Sequence, residues 1–141
     1  MSLRDLRAEL SLLNHQVGTR MELRDSDLEC LDRLERTGPL SPSALAKQAG
    51  LHPATLTGII DRLERAGWLS RERDPADRRA VLLHPRHPRD AEMLGLYAGM
   101  NAALNRICAG YTEEELELIA SFLAAVADAG RAAAADLAAP D

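Results

Sequence analysis

Residues 41–83 leave the backbone few options. Ser41 is a good N-cap, and Pro42 sits at a first helical position, where its missing N–H costs nothing. The short helix this opens turns Leu45, Ala46 and Ala49 inward and stops at Gly50. Leu51-His52 is a very short link before Pro53 starts a second helix, which reaches Ala66 and is closed by Gly67. Its Leu56, Ile59, Ile60 and Leu63 recur at i, i+3, i+4 and i+7, forming one apolar face. Two short strands follow, expected at 68–73 and 78–83 around the turn-forming Asp74-Pro75-Ala76-Asp77. Short helix, glycine-bearing turn, second helix and hairpin together make a winged helix-turn-helix.

The flanks read as helices. Leu3, Leu6, Leu10, Leu13 and Val17 give one stripe, with Gly18 as its expected end. A second helix is expected to open at Ser26, with Ser26 and Glu29 as a capping box. It buries Leu28, Leu31 and Leu34 and ends at Thr37-Gly38-Pro39. After the hairpin, His84-Pro85-Arg86-His87-Pro88 is expected to be an irregular linker. A fifth helix spans about 89–108, carrying Met93, Leu96, Tyr97, Met100 and Leu104 on one face. Thr112 and Glu115 box the start of a sixth, with Leu116, Ile119, Phe122, Leu123 and Val126. The Ala-rich 131–139 reads either as a continued helix or as a fraying tail. The expected fold is mostly α with a small β-hairpin wing. Residues 25–87 form the winged lobe, and 1–24 with 88–141 form a helical dimerisation region.

The formal net charge is −5, which on average disfavours nucleic acid. The average conceals a segregation. Residues 52–89 hold eight Arg against five Asp/Glu, whereas 90–141 hold two Arg against nine acids. A local basic surface is what DNA requires. The outward face of the helix after the turn adds the right chemistry. Ala54 and Gly58 let a backbone approach, beside Pro53 at the helix start. Thr55 and Thr57 offer hydroxyls and methyls to base edges, and Arg62 lies where it can reach phosphates. Arg73, Arg78 and Arg79 flank the hairpin tip, where guanidinium groups suit a narrow minor groove. Asp77, two residues before Arg79, is placed to orient it and so to organise the wing. The alternative is a solvated polar helix face, with arginines that only guard an edge strand.

The run Asp61-Arg62-Leu63-Glu64-Arg65-Ala66-Gly67, followed by Asp77-Arg78-Arg79, resembles the MarR family in its D-R-L-x-x-x-G and D-x-R motifs. The resemblance implies a homodimer joined by its terminal helices, with each subunit presenting a winged helix to half of a pseudo-palindromic, double-stranded DNA operator. It implies that Pro53, Ala54, Thr55, Thr57 and Gly58 lie near bases, and that Arg79 is the D-x-R arginine with Asp77 as its carboxylate partner. Members are often repressors released by small phenolic or anionic ligands, or by cysteine oxidation. Two departures stand out: His52 occupies a position where a Ser or Asp cap is common, and 84–88 replaces the usual connection after the wing.

Other chemistries find little support. No P-loop, G-x-S-x-G or H-E-x-x-H motif is present, so no enzyme and no cofactor is expected. Glu113-Glu114-Glu115 suits a helix N-terminus. His84-x-x-His87 lacks further metal ligands, so no metal site is expected. Cys30 and Cys108 are too few for a disulfide framework and read as structural thiols. Neither a signal peptide nor a long apolar run is evident, so a cytoplasmic protein with no membrane partner is expected.

Overall fold

A computed structural model describes residues 2–139. Its order is α1 (Leu3–Met21), α2 (Asp25–Thr37), α3 (Pro42–Ala49), α4 (Pro53–Arg65), β1 (Leu69–Arg73), β2 (Val81–Pro85), α5 (Asp90–Cys108) and α6 (Glu113–Ala138). The chain divides into two compact units, one up to Leu96 and one from Tyr97 onward, with the boundary inside α5.

In the first unit, α1 runs one turn past its expected end. Gly18 does not stop it; Gly18 is where the following chain crosses close. The Leu23 N–H donates to the Gly18 carbonyl at 2.8 Å, and a Cβ on Gly18 would stand 2.7 Å from the Leu23 carbonyl oxygen. The helix closes instead on Glu22, which adopts a left-handed φ of 59°. Met21 and Leu23 enter the core on either side of that reversal.

The expected Ser26–Glu29 capping box does not form. The second helix starts a residue earlier, and Asp27 takes the capping role: the Arg24 N–H donates to its carboxylate at 2.8 Å. Glu29 instead pairs with Arg33 at 3.0 Å, one turn along. The motif was present, but Asp27 competed for the same start and, being buried, gained the Arg62 guanidinium as a partner.

The third and fourth helices begin where their prolines require. Ser41 Oγ accepts from the Ala44 N–H at 3.2 Å, and Gly50 closes α3 with φ 64°. Leu45, Leu56, Ile60 and Leu63 meet Leu34 and Met21 in one core, roofed by Trp68 and Leu83. β1 and β2 pair antiparallel with Leu69 opposite Pro85 and Arg73 opposite Val81. Leu40 adds a bridge to Leu83, whose N–H donates to the Leu40 carbonyl at 2.7 Å. That contact ties the start of the helix-turn-helix to the wing.

The hairpin differs from expectation in length. The second strand begins at Val81 and extends to Pro85, so the first half of the expected linker is strand. Pro85 is tolerated because it ends the strand. Arg78 and Arg79 therefore lie in the connecting loop.

In the second unit, the Thr112–Glu115 box forms, with Thr112 Oγ1 accepting from the Glu115 N–H at 3.2 Å. The Ala-rich segment continues α6 to Ala138. Phe122, Leu118, Ile119 and Leu123 are exposed on this helix, and α1 likewise exposes Leu3, Leu6 and Leu10. By length and apolar composition alone α6 would suffice to cross a membrane, although no uncharged run in it reaches the ~18 residues of a span. Asp128 and Arg131 interrupt its apolar surface.

Candidate nucleic-acid interface

The fourth helix carries the site because its two faces are so unlike. Leu56, Ile59, Ile60 and Leu63 are buried, whereas Pro53, Ala54, Thr55, Thr57 and Gly58 are all exposed. His52 caps the helix: its Nδ1 accepts from the Ala54 N–H at 3.1 Å. The imidazole thus does what a Ser or Asp side chain does at such a start. The Thr57 hydroxyl donates to the Pro53 carbonyl at 3.0 Å, which leaves its oxygen as an acceptor and its methyl as a contact surface. A Cβ added at Gly58 would meet nothing within 4 Å. Glycine inside a helix costs about 1 kcal/mol relative to alanine. No neighbour among the described residues of the subunit accounts for that cost.

The eight arginines of 52–89 sort into two groups that charge counting merges. Arg62 pairs with buried Asp27. Arg71 pairs with Asp61 and Glu64, Arg86 with Glu72, and Arg89 with Glu92 at 2.7 Å. The other four are Arg65, Arg73, Arg78 and Arg79. Arg65 reaches only the Asp61 backbone carbonyl, at 3.3 Å. The side chains of Arg73, Arg78 and Arg79 have no hydrogen bond or ion pair among the described residues, and all three residues are exposed. The uncommitted positive charge therefore sits at the C-terminal end of α4 and around the wing tip.

Arg62 is corrected by this sorting. On a helical projection it belongs to the polar face, yet the α2 helix lies beside it. Its terminal nitrogen meets the Asp27 carboxylate, and its Nε is buried without a partner. A guanidinium held this way is an internal tie between α2 and α4. It is not a free phosphate contact.

The wing tip is built by two aspartates acting on backbone. Asp74 Oδ1 accepts from the Ala76 N–H at 2.9 Å, and Asp77 Oδ1 accepts from the Arg79 N–H at 3.0 Å. The Asp74 N–H closes the loop on the Ala80 carbonyl at 3.0 Å. Asp77 thus shapes the turn beneath Arg79 through the backbone; the expected pairing of its carboxylate with the Arg79 guanidinium does not form. The side chain stays available.

The histidines serve packing and pairing. His84 lies in β2 with Nε2 3.5 Å from Glu72, and the His87 ring stands 3.1 Å from both Glu35 and Asp90. Cys30 is fully buried, and burial first, then Glu29 and Asp27, pushes its thiol up to about 11. It is not a reactive thiolate.

Residues 23–81 match the MarR family. The chain is 38% identical over 119 residues to YcgE of Bacillus subtilis, named as an uncharacterized HTH-type transcriptional regulator, covering 84% of this chain and 77% of that one. It is 29% identical over 84 residues to YetL of the same organism, named as an HTH-type transcriptional repressor, covering 60% of this chain and 50% of that one. A MarR family protein from Bacillus stearothermophilus superposes with a TM-score of 0.68 at 21% identity, over 89% of this chain and 88% of that one, a likeness of fold. Helix order, two-stranded wing, matched segment and similarity to YcgE agree: this chain belongs to the MarR family of transcriptional regulators.

Proposed function

We infer that the protein is a sequence-specific repressor that binds a pseudo-palindromic operator as a homodimer. The observation that carries this reading is the pairing of an exposed outward face of α4, uncharged from Pro53 to Gly58, with four uncommitted arginines. The face of Ala54, Thr55, Thr57 and Gly58 has the size and polarity for base edges in a major groove. Arg73 at the end of β1 and Arg78 and Arg79 on the protruding loop beyond it suit the adjacent minor groove, and Arg65 suits the phosphates.

The dimer rests on apolar surface. Leu3, Leu6 and Leu10 of α1 and Ile119, Phe122 and Leu123 of α6 are exposed, and an exposed apolar stripe on a helix is suited to an interaction surface. Residues 1–24 and 88–141 serve in this reading as the dimerisation region, and 25–87 as the DNA-binding lobe. A second copy covering α6 also accounts for its apolarity without a membrane, in keeping with a cytoplasmic regulator. Release by a small anionic or phenolic ligand follows from family membership.

Selection of bound sequences from a random DNA pool tests the reading. The expected product is an inverted repeat with half-sites about one helical turn apart, ~34 Å. Failure to enrich any sequence, or a monomer by light scattering at micromolar concentration, would overturn it. Titration of salicylate into the operator complex is expected to release the DNA; unchanged binding would remove ligand control.

A further inference from the structure

The outward face of α4 contains a feature that opposes DNA binding. Asp61 lies on the same helical row as Ala54, Gly58 and Arg65, and Glu64 lies on the row of Thr57. Residues one turn apart on a helix place their Cβ atoms about 5–6 Å apart. That is inside the Debye length of about 8 Å at physiological salt, so ions in solution do not hide Asp61 from a phosphate near Thr57 or Gly58. Two carboxylates on a reading face would repel the duplex unless something answers them.

Arg71 answers both. It projects from β1 back to the helix, with one terminal nitrogen 2.5 Å from Asp61 Oδ1 and the other 2.5 Å from Glu64 Oε1. Its backbone N–H also donates to Glu64 Oε2 at 3.1 Å. Both arms of the guanidinium are used, and its side chain is the least exposed of the three groups, at 33% against 49% for Asp61 and 39% for Glu64. Arg73, two residues along the same strand, holds no such pair.

We propose that Arg71 is an internal counter-ion that makes the carboxylates of Asp61 and Glu64 compatible with a phosphate backbone, and is not itself a phosphate ligand. This rests on the DNA-binding reading above. It divides the wing arginines by role: Arg73, Arg78 and Arg79 meet the nucleic acid, while Arg71 neutralises the helix they flank. The two acids in turn set the direction of β1 relative to α4. Their place on the reading face is therefore structural, and their charge is a liability that one residue removes.

The probe is a duplex selected from the random pool by the wild-type chain, with fluorescence anisotropy at 50 and 200 mM salt. Arg71→Ala is expected to weaken binding at least about tenfold, since it exposes two like charges to the phosphates. The triple variant Arg71→Ala, Asp61→Asn, Glu64→Gln is expected to recover to within about threefold of wild type. A lost phosphate ligand or a lost wing anchor would not be restored by neutralising the acids. A triple variant as weak as Arg71→Ala, or an Arg71→Ala protein as tight as wild type, would overturn the proposal. Should Arg71→Ala unfold, as circular dichroism would show, the double variant Asp61→Asn, Glu64→Gln decides. It retains Arg71 without partners and is expected to bind a random-sequence duplex more tightly, with a steeper salt dependence; unchanged or weaker binding overturns the proposal. Wild-type protein that binds no duplex sinks this proposal together with the functional reading, whereas wild-type binding without recovery in the triple variant sinks this proposal alone.

Discussion

The Asp27 carboxylate, 1% exposed, is shared between the Arg24 N–H at the start of α2 and the Arg62 guanidinium on α4. One buried charge thus caps one helix and clamps the helix that carries the candidate DNA-reading face. Each of its oxygens has a donor, which is the condition under which a carboxylate survives in a protein interior.

Breaking this clamp from one side should be costly. Arg62→Met leaves Asp27 buried without its counter-ion and is expected to lower stability by about 2–4 kcal/mol, measured by urea unfolding. Because Arg62 is turned to Asp27, the variant's operator binding should keep the wild-type salt dependence. A slope reduced by about one unit would return Arg62 to the phosphate contacts.

At the wing, the opposite pattern is expected. Arg79→Ala leaves every described internal contact in place, since only the Arg79 N–H engages Asp77. Stability should be unchanged, and the slope of log affinity against log salt should fall by about 0.9. Asp77→Asn keeps an oxygen for that N–H and should bind nearly as wild type, whereas Asp77→Ala should weaken binding through a loosened turn. Equal affinity of Arg79→Ala and wild type would remove the wing from the interface.

Gly58→Ala should separate stability from function by sign. Open space surrounds the new methyl within the subunit, so the helix gains about 0.5–1 kcal/mol by thermal or urea unfolding. Operator binding should weaken, since the methyl stands where the duplex backbone or a base edge approaches. A variant both more stable and equally tight in binding would show that the bare helix surface is not part of the contact.

Cys30 makes a pH-dependent contribution with a definite direction. Its folded value of about 11 lies above the ordinary 9.0. Between these values the unfolded chain has lost the thiol proton and the folded chain retains it, so stability is intact below pH 9 and falls as pH rises toward 11. The loss attributable to this group is about 3 kcal/mol. Unfolding curves of Cys30→Ala should lack that part of the decline, and native protein at neutral pH should resist iodoacetamide at Cys30. Rapid labelling of Cys30 in the native state would contradict its burial.

Much of the architecture was legible because its causes are local. Ser41, Pro42, Gly50 and Pro53 each act within a turn or two of backbone, so the helix-turn-helix could be read from spacing alone. The same holds for the apolar face from Leu56 to Leu63 and for the Thr112–Glu115 box. Where two local solutions competed, spacing did not choose. Ser26–Glu29 and Arg24–Asp27 are rival starts for α2, and Asp27 prevailed through a partner 35 residues away. The wing loop likewise closed later than its turn-formers suggested, because Asp74 and Asp77 each spend a carboxylate oxygen on the backbone beyond them.

The sequence by itself determined that a basic middle with an uncharged helix face lies between acidic or neutral helical flanks. Only the tertiary structure decided which arginines of that middle are free. Charge counts add all guanidinium groups equally, but a pair forms only where folding brings a carboxylate within about 4 Å, and that is a property of packed elements. Arg62, Arg71, Arg86 and Arg89 found such partners on neighbouring elements or one turn away. Arg73 ends β1, and Arg78 and Arg79 stand on the loop that follows; among the described residues no carboxylate reaches any of the three.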